Sequence, residues 1–543
     1  MTGPATPLLR IGATLRAHAA LLIFLIAAAG VLFVAHLPAW PSLGFLLILL
    51  SAGFLFFAFP AERQANLARK EWICLGLGII GLALLLLYRI GAPWTDHCSA
   101  NGAVWSLHGR NIARHGFIAT QGMLFSTGGP ILDTQARIAN HHPPGLVWLL
   151  AVLFKIFGPS EGVARAVPFT FTLAGAGALL AWMLRRHGPS GAGGVLLAAA
   201  ACPALIYIGR MVNFEPLVLA LSLIFYVGLD RFPGHRPGGL VAGMIGLALA
   251  PLLGWVGAIW AFIAAWFFVR ERAVQHRAWV YMIPPVILVG LVLFLSNKET
   301  GGISGTLARS MKWNYAFRPT ENLPSLTEWL TGVGRFLNIQ VPFPLWFFFP
   351  LLALRPIRAA LPKTLLIGTL LPFALLLPIM PRAFYNHEYH IISLWLLVAL
   401  LSGALAVNFR KTQRARLGLA LLLMVPLFLG MRTYQKMHQP FENDLHERLG
   451  KRINTTTPPQ ARIALLCSKK AFEPVLWFYM DRQFFTYWSR KMSLDAIDSW
   501  DYVLVPPNKQ KQPGDLPPGF ALKPVFTDPG GAILYQKTET PPP

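Results

Sequence analysis

Asp96, in the stretch PWTDHCSANGAVWSLHGRNIARHGF, stands four residues beyond an apolar run that ends near Ala92. That position puts a carboxylate at the boundary between hydrocarbon and water. There it needs only hydrogen-bond reach of an acceptor hydroxyl, and partial shielding from solvent, to act as a general base. The plainer reading is a solvated carboxylate at a helix boundary. His97 next to it would tune the carboxylate or bind ligand, although a lone histidine is more often structural.

Three more clusters carry chemistry-bearing groups. His141 and His142 precede Pro143-Pro144, and the prolines stop any helix running in from the loop and start a new one at its first turn. The histidines are therefore held at a helix N-terminus, where free N–H groups and a partial positive charge suit a phosphate. The competing reading is a helix breaker with polar flanks. Glu215 follows Arg210 and Asn213 and opens the next apolar run, a place where an acid is also favoured as a simple cap. Finally Arg382, Tyr385, Asn386, His387, Glu388, Tyr389 and His390 crowd seven polar or ionisable groups into nine residues, more than a turn between spans requires.

The elements that position these clusters are membrane helices. The chain of 543 residues is 55% hydrophobic and only 13% charged, with long uncharged runs recurring from Ala19 to Met431. That composition predicts an α-helical polytopic membrane protein. Candidate spans are 19–36, 42–60, 72–92, 163–184, 191–209, 214–229, 238–253, 255–270, 279–296, 342–354, 364–380, 391–407 and 417–433, thirteen in all. The run from Pro143 to Phe157 is too short to cross ~30 Å of hydrocarbon at about 1.5 Å per residue.

Charge decides how to count that run. If it does not cross, one side of the membrane receives nineteen basic residues in short links. They are Arg10, Arg16, Arg63, Arg69, Lys70, Arg185, Arg186, Arg231, Arg236, Arg270, Arg272, Arg277, Arg355, Arg358, Lys363, Arg410, Lys411, Arg414 and Arg416. Only four acids, Glu62, Glu71, Asp230 and Glu271, join them. If it does cross, the two halves of the chain contradict each other, so 143–157 is read as lying in the interface. The N-terminus is then cytoplasmic, and the loops holding all four clusters share the outer face.

Within the first outer loop, Asn101–Arg114 reads as a surface helix. Val104, Trp105, Leu107 and Ile112 fall on one side, and Ser106, Arg110 and Arg114 on the other. The tail 434–543 changes character: the strand-like runs RIALLCS, WDYVLVP and GAILYQK alternate with a helical stretch at LHERLGKR. This predicts a small α/β domain on the outer face, after an N-terminal hairpin (1–71) and a transmembrane core (72–433). The net charge of +24 sits mostly between apolar runs, where it sets topology and meets anionic lipid rather than nucleic acid. The four cysteines have neither metal spacing nor the number for a disulfide framework. Phosphate-cradling glycine loops, zinc-protease motifs and nucleophile-elbow motifs are missing from the sequence.

On these residues the chain resembles the integral-membrane glycosyltransferases of the C-type fold. In particular it is similar to bacterial relatives of dolichyl-phosphate-mannose–protein mannosyltransferases and of lipid A aminoarabinose transferases. The similarity is densest over 90–230, in TDHCSANGAVWSLHGRNIARHGF, in HHPPGLVWLLAVLFKIFGPSEGVARAVP and in Glu215-Pro216-Leu217; YNHEYHIISLWLL adds a later match. The resemblance implies transfer of a sugar from a polyprenyl-phosphate carrier to an acceptor glycan, lipid or protein on the periplasmic face, with inversion. Asp96 would take the acceptor proton and Glu215 would support the site or bind an ion. His141 and His142 would line the carrier phosphate, with Arg110, Arg382 and His387 as further contacts. It also implies the bacterial inner membrane, no nucleotide, and no required cofactor beyond room for a divalent metal ion. His142 stands where many relatives carry lysine, and Gly254-Trp255 where many carry Lys-Gly, so the donor sugar is not specified. The rival reading is a transporter or flippase of lipid-linked glycans, which would place ionisable groups near the bilayer midplane rather than at one face.

Overall fold

The computed structural model describes residues 7–59, 69–95, 99–120, 122, 124–126, 129, 137–139, 142–231, 238–270, 286–287, 290, 325–361, 363–379, 390, 392–409, 412–439, 445–466, 472–487, 500–505 and 520–539. Its contacts divide the chain into two compact units. One joins 1–90 to 166–438, and the other joins 91–165 to 439–543.

The first unit is a helical membrane body. It contains α1 (Pro7–Ala35), α2 (Ala39–Gly53, continued by one π turn to Ala58), α3 (Arg69–Leu87) and most of α6 (Glu161–Ala201). Then come α7 (Pro203–Ile206), a 3-10 turn at Ile208–Arg210, α8 (Phe214–Arg231), α9 (Gly238–Leu253) and α10 (Trp255–Arg270). Next among the described residues, α11 (Leu326–Gln340) leads into a 3-10 segment, Phe343–Ala353. The unit closes with α12 (Arg355–Ala360), α13 (Lys363–Ile379), α14 (Leu394–Asn408) and α15 (Gln413–Met437). Five of the described helices are long and apolar enough to cross a membrane, and seven crossings result if each of two bent pairs is one span. This is an integral membrane protein. The remaining expected spans are shorter apolar helices or, for most of 279–296, lie outside the described residues.

Two breaks shape this body. α6 is interrupted at Gly188, whose φ of 78° lies in the left-handed region that glycine adopts without strain; Pro189 follows. The break falls between the expected spans 163–184 and 191–209. The second of these ends at Ala201 rather than 209. Cys202 is extended ahead of Pro203, which lacks the N–H to continue the helix, and the chain then bends by 115° before α8. The link from α6 to α8 is therefore 202–213, longer than the RMVNFEP turn read from sequence.

Contacts inside this unit also fix the parity of the spans. The Arg185 guanidinium lies 4.9 Å from the ring of Trp72 at the start of α3. Arg186 pairs with Asp230 at the end of α8 at 3.2 Å, and Arg416 donates to the Phe56 carbonyl at 2.6 Å. Links that the charge count assigns to one side thus meet at one end of the body. An odd number of crossings between Trp72 and Arg185 would separate them.

The second unit begins with α4 (Ser99–His115), a hairpin of β1 (Leu124–Ser126) and β2 (Arg137–Ala139), and α5 (Gly145–Phe157). With 13 residues, α5 spans about 20 Å at 1.5 Å per residue, short of the ~30 Å hydrocarbon core. Its length is that of a juxtamembrane helix. The tail contributes α16 (Leu445–Thr456), β3 (Arg462–Leu466), α17 (Phe472–Tyr479), β4 (Gln483–Tyr487), β5 (Tyr502–Val505), β6 (Phe520–Thr527) and β7 (Ile533–Glu539). The sheet runs β4-β3-β5-β7-β6, parallel over its first three strands and antiparallel over the rest. Leu449 and Ile453 of α16 and Leu476 of α17 pack with Ile463, Leu465 and Leu534 of the sheet. The expected helix and three strands are present, and β4, β6 and α17 join them.

Candidate functional site

The link that carries Asp96 is held residue by residue as far as Thr95. Trp94 is 3% exposed and Thr95 8%. The Thr95 N–H donates to the Pro93 carbonyl at 2.8 Å, closing a tight turn immediately ahead of Asp96. The Trp94 ring has the Arg165 guanidinium 4.2 Å from its centroid and meets Phe478 edge-on at 5.8 Å. Gly102 of α4 lets the indole lie flat against that helix, since a Cβ there would come within 2.4 Å of the ring. Arg165 also donates to the Ala92 carbonyl. Asp96 and His97 themselves lie outside the described residues, as do His141, Arg382, Tyr385, His387, Glu388 and Tyr389.

α4 forms where expected, but it is not a surface helix with an open polar face. Ser106 is fully buried and Arg110 only 6% exposed. The polar face is covered from the C-terminal part of the same unit. Arg110 donates to the carbonyls of Phe478 at 2.6 Å and Trp477 at 3.3 Å, and Arg114 pairs with Asp481 at 2.5 Å. Burial, with the nearby Arg114 charge, lowers the Arg110 pKa to about 10 although Asp481 opposes it, so the guanidinium stays charged at neutral pH. An amphipathic pattern shows that one face is polar without saying what covers it. α5 packs on α4 where Gly109 leaves room for Leu150. Two residues before the Pro144 cap of α5, His142 sets its ring edge-on to Trp105 of α4 at 5.4 Å.

In the first unit, the link 202–213 and the first turn of α8 deliver three of the expected residues, each buried. Arg210, 2% exposed, donates to the Tyr88 carbonyl at the end of α3 and sits 5.7 Å from the Tyr207 ring. Asn213 immediately precedes α8, its side-chain oxygen accepting from the Phe214 N–H at 3.0 Å. Glu215, in the first turn of α8, is 4% exposed, and its Oε1 lies 2.9 Å from Nδ1 of His390. This pair lines a small pocket whose other walls are apolar side chains, among them Leu219, Trp260, Phe373 and Ile392, with Ser393 adding a hydroxyl. A buried carboxylate requires such a partner, because an isolated charge in apolar surroundings is costly.

The structure therefore joins one residue of the NHEYH turn, His390, to the acid of the RMVNFEP link. Their juxtaposition has no sequence signal beyond the two polar clusters themselves. Glu161 and Tyr479 also bear on the Asp96 link; Glu161 lies in the FGPSEGVAR motif, whereas nothing in the sequence marks Tyr479. Among the described residues, no three histidine, cysteine, aspartate or glutamate side chains converge as a metal ion would require.

No protein-family model matches the chain, and no curated protein matches it in sequence. Solved structures do match. ArnT from Cupriavidus metallidurans bound to undecaprenyl phosphate superposes with a TM-score of 0.63 at 13% identity, covering 86% of this chain and 98% of that one. The same protein in the apo state gives 0.57 at 13% identity with equal coverage. An oligosaccharyltransferase from Archaeoglobus fulgidus, in complex with zinc and sulfate, gives 0.48 at 14% identity, covering 84% of this chain and 73% of that one. The chain has the polytopic fold of ArnT, the C-type fold of membrane glycosyltransferases.

Proposed function

We propose that this protein transfers a sugar from a polyprenyl-phosphate-linked donor to an acceptor hydroxyl at the periplasmic face of a bacterial inner membrane, with inversion. The observation that carries the reading is the buried Glu215–His390 pair, set in an apolar cavity on a fold shared with a protein crystallised with undecaprenyl phosphate. Asp96 is the general base. It removes the proton of the acceptor hydroxyl as that oxygen bonds to the anomeric carbon. The bond from that carbon to the phosphate oxygen breaks on the opposite side, and the polyprenyl phosphate leaves with the electron pair. A single displacement of this kind inverts the anomeric centre.

Charge growing on the departing phosphate is offset by Arg382, His387, His141 and His142 at the membrane edge, where preorganised donors count for more than in water. Arg110 adds positive charge to the same loop, while its own hydrogen bonds run to the Phe478 and Trp477 carbonyls. Glu215 supports the site from the first turn of α8. The acceptor is a glycan, lipid or protein. The carrier arrives already activated, so the chemistry needs no nucleotide.

The test is transfer from polyprenyl-phosphate-linked sugars by purified protein in lipid, beside an Asp96→Asn variant. The expected result is a variant that inserts and folds normally but no longer transfers. Normal transfer by Asp96→Asn removes the assigned base. Glycan and lipid profiles of cells with and without the gene identify the acceptor.

A further inference from the structure

The motif FGPSEGVAR contains two charged residues, Glu161 and Arg165, to which the proposed chemistry assigns no role. Both face the link that leads into Asp96. Arg165, 3% exposed, donates to the Ala92 carbonyl and stacks on Trp94, two residues ahead of Asp96. Glu161 accepts a hydrogen bond of 2.5 Å from the hydroxyl of Tyr479. That same hydroxyl accepts from the backbone N–H of Trp94 at 2.9 Å, across 385 residues of sequence. One oxygen thus passes a hydrogen bond from the Asp96 link to the first turn of α6.

The direction of this relay is fixed. A tyrosine hydroxyl has one proton, and giving it to Glu161 turns a lone pair toward Trp94. Burial, reinforced by the Glu161 charge and hydrogen bond, pushes the Tyr479 pKa far above its ordinary value, so the proton stays on the phenol. Tyr479 is itself held from behind by the tail. The Asn454 side chain donates to its carbonyl at 2.9 Å and accepts from the Asp481 N–H at 2.7 Å. Gly450 of α16 lets the chain approach closely, since a Cβ there would lie 2.6 Å from Tyr479 Cβ. Arg482 donates to the carbonyls of Asn454 and Thr457, each at 2.6 Å, bracing the same corner. The hydroxyl is presented by a rigid platform rather than by a free loop.

We propose that Tyr479, supplied by the C-terminal α/β domain, is a positioning residue for the general base: with Glu161 and Arg165 it fixes the backbone from Ala92 to Thr95 and so sets where Asp96 meets the acceptor hydroxyl. The inference rests on the reading of Asp96 as the base. It gives the tail a part in the reaction, which an apolar core and a small sheet do not suggest. Misplacing a reacting group by about 1 Å costs on the order of 100-fold in rate, so the loss of one backbone anchor next to the base has a kinetic signature.

The experiment compares wild type with Tyr479→Phe, Glu161→Leu and Glu161→Gln as purified full-length proteins in lipid, with rates taken per folded molecule. Tyr479→Phe keeps the ring against its neighbours and removes only the relay. It is expected to lower kcat about 10- to 100-fold while leaving KM for the polyprenyl-phosphate-linked donor within about twofold. Glu161→Leu should do the same, and Glu161→Gln, which keeps an oxygen to accept the Tyr479 proton, should recover most of the rate. Wild-type kcat in both Tyr479→Phe and Glu161→Leu, beside an inactive Asp96→Asn, overturns the positioning role and leaves the base intact. Normal transfer by Asp96→Asn overturns the functional reading instead. If Tyr479→Phe folds poorly, the Glu161→Leu and Glu161→Gln pair decides between the outcomes, because both keep the tyrosine.

Discussion

His390 Nδ1 lies 2.9 Å from Glu215 Oε1, with side chains 9% and 4% exposed, although 175 residues separate the polar turn of one from the helix start of the other. Removing one partner of a buried polar pair leaves the other unsatisfied, at a cost of about 1–3 kcal/mol, whereas removing both is far milder. His390→Leu should therefore lower thermal stability in lipid strongly. Combining it with Glu215→Gln should restore part of the loss, with a coupling of about 1–3 kcal/mol in a double-mutant cycle. Additive effects would show that the pair is not energetically joined.

Arg110 and Arg114 lie one turn apart on α4 and make different kinds of contact. The Arg114–Asp481 pair is 29% and 41% exposed, so Arg114→Met should cost less than about 1 kcal/mol. Arg110 is buried, and its charged donors satisfy the carbonyls of Phe478 and Trp477. Arg110→Met should cost about 1.5–3 kcal/mol or more, because those acceptors lose their partner out of reach of water. Chemical denaturation of the two variants orders them, and equal losses would return α4 to the role of an exposed surface helix.

The membrane helices and the juxtamembrane length of α5 were legible because apolar runs and basic links follow directly from the cost of burying backbone and charge in lipid. The break at Gly188-Pro189 carries its own local chemistry. The early end at Ala201 does not stand out, since Pro203 sits in an apolar run whose composition alone reads as span. In the tail, β6 is an edge strand with Pro524 at a register shift, a position where proline is tolerated but which spoils the strand pattern in sequence. The contacts of Glu161 with Tyr479, and of Glu215 with His390, join distant residues whose neighbours show no shared periodicity. Tertiary packing alone brings them together. The same holds for the covering of α4 by α17.

His446 gives the tail a pH dependence of known sign. It is 2% exposed, and burial lowers its pKa to about 4 from an ordinary value near 6.5. Above pH 6.5 the imidazole is neutral in both folded and unfolded chains. As pH falls from 6.5 to 4, the unfolded chain takes up the proton first, so stability declines, and the loss is complete below the folded value. The shift corresponds to at most about 3 kcal/mol. Hydrogen exchange at the amides of β3 and β5, corrected for intrinsic rates, should show protection falling across this window in wild type. In His446→Phe the fall should be much shallower, and an unchanged slope would assign the pH dependence to another group.

The parity of the spans rests on links that meet at one end of the membrane body. Arg185 lies over Trp72, Arg186 holds Asp230, and Arg69, Lys70 and Arg231 of the charge count fall on the same links. Because short basic links stay on the cytoplasmic side, Arg185 should face the cytoplasm, which requires α5 not to cross. Arg185 is exposed, so in a background with the four native cysteines replaced, Arg185→Cys is open to reagent without disturbing the buried residues beside it. An impermeant thiol reagent added to the outer face of intact spheroplasts should leave it unmodified, and permeabilised membranes should label it readily. Rapid labelling from outside would invert this end of the molecule and carry the Glu215–His390 pair to the face opposite the one where the acceptor is proposed to bind.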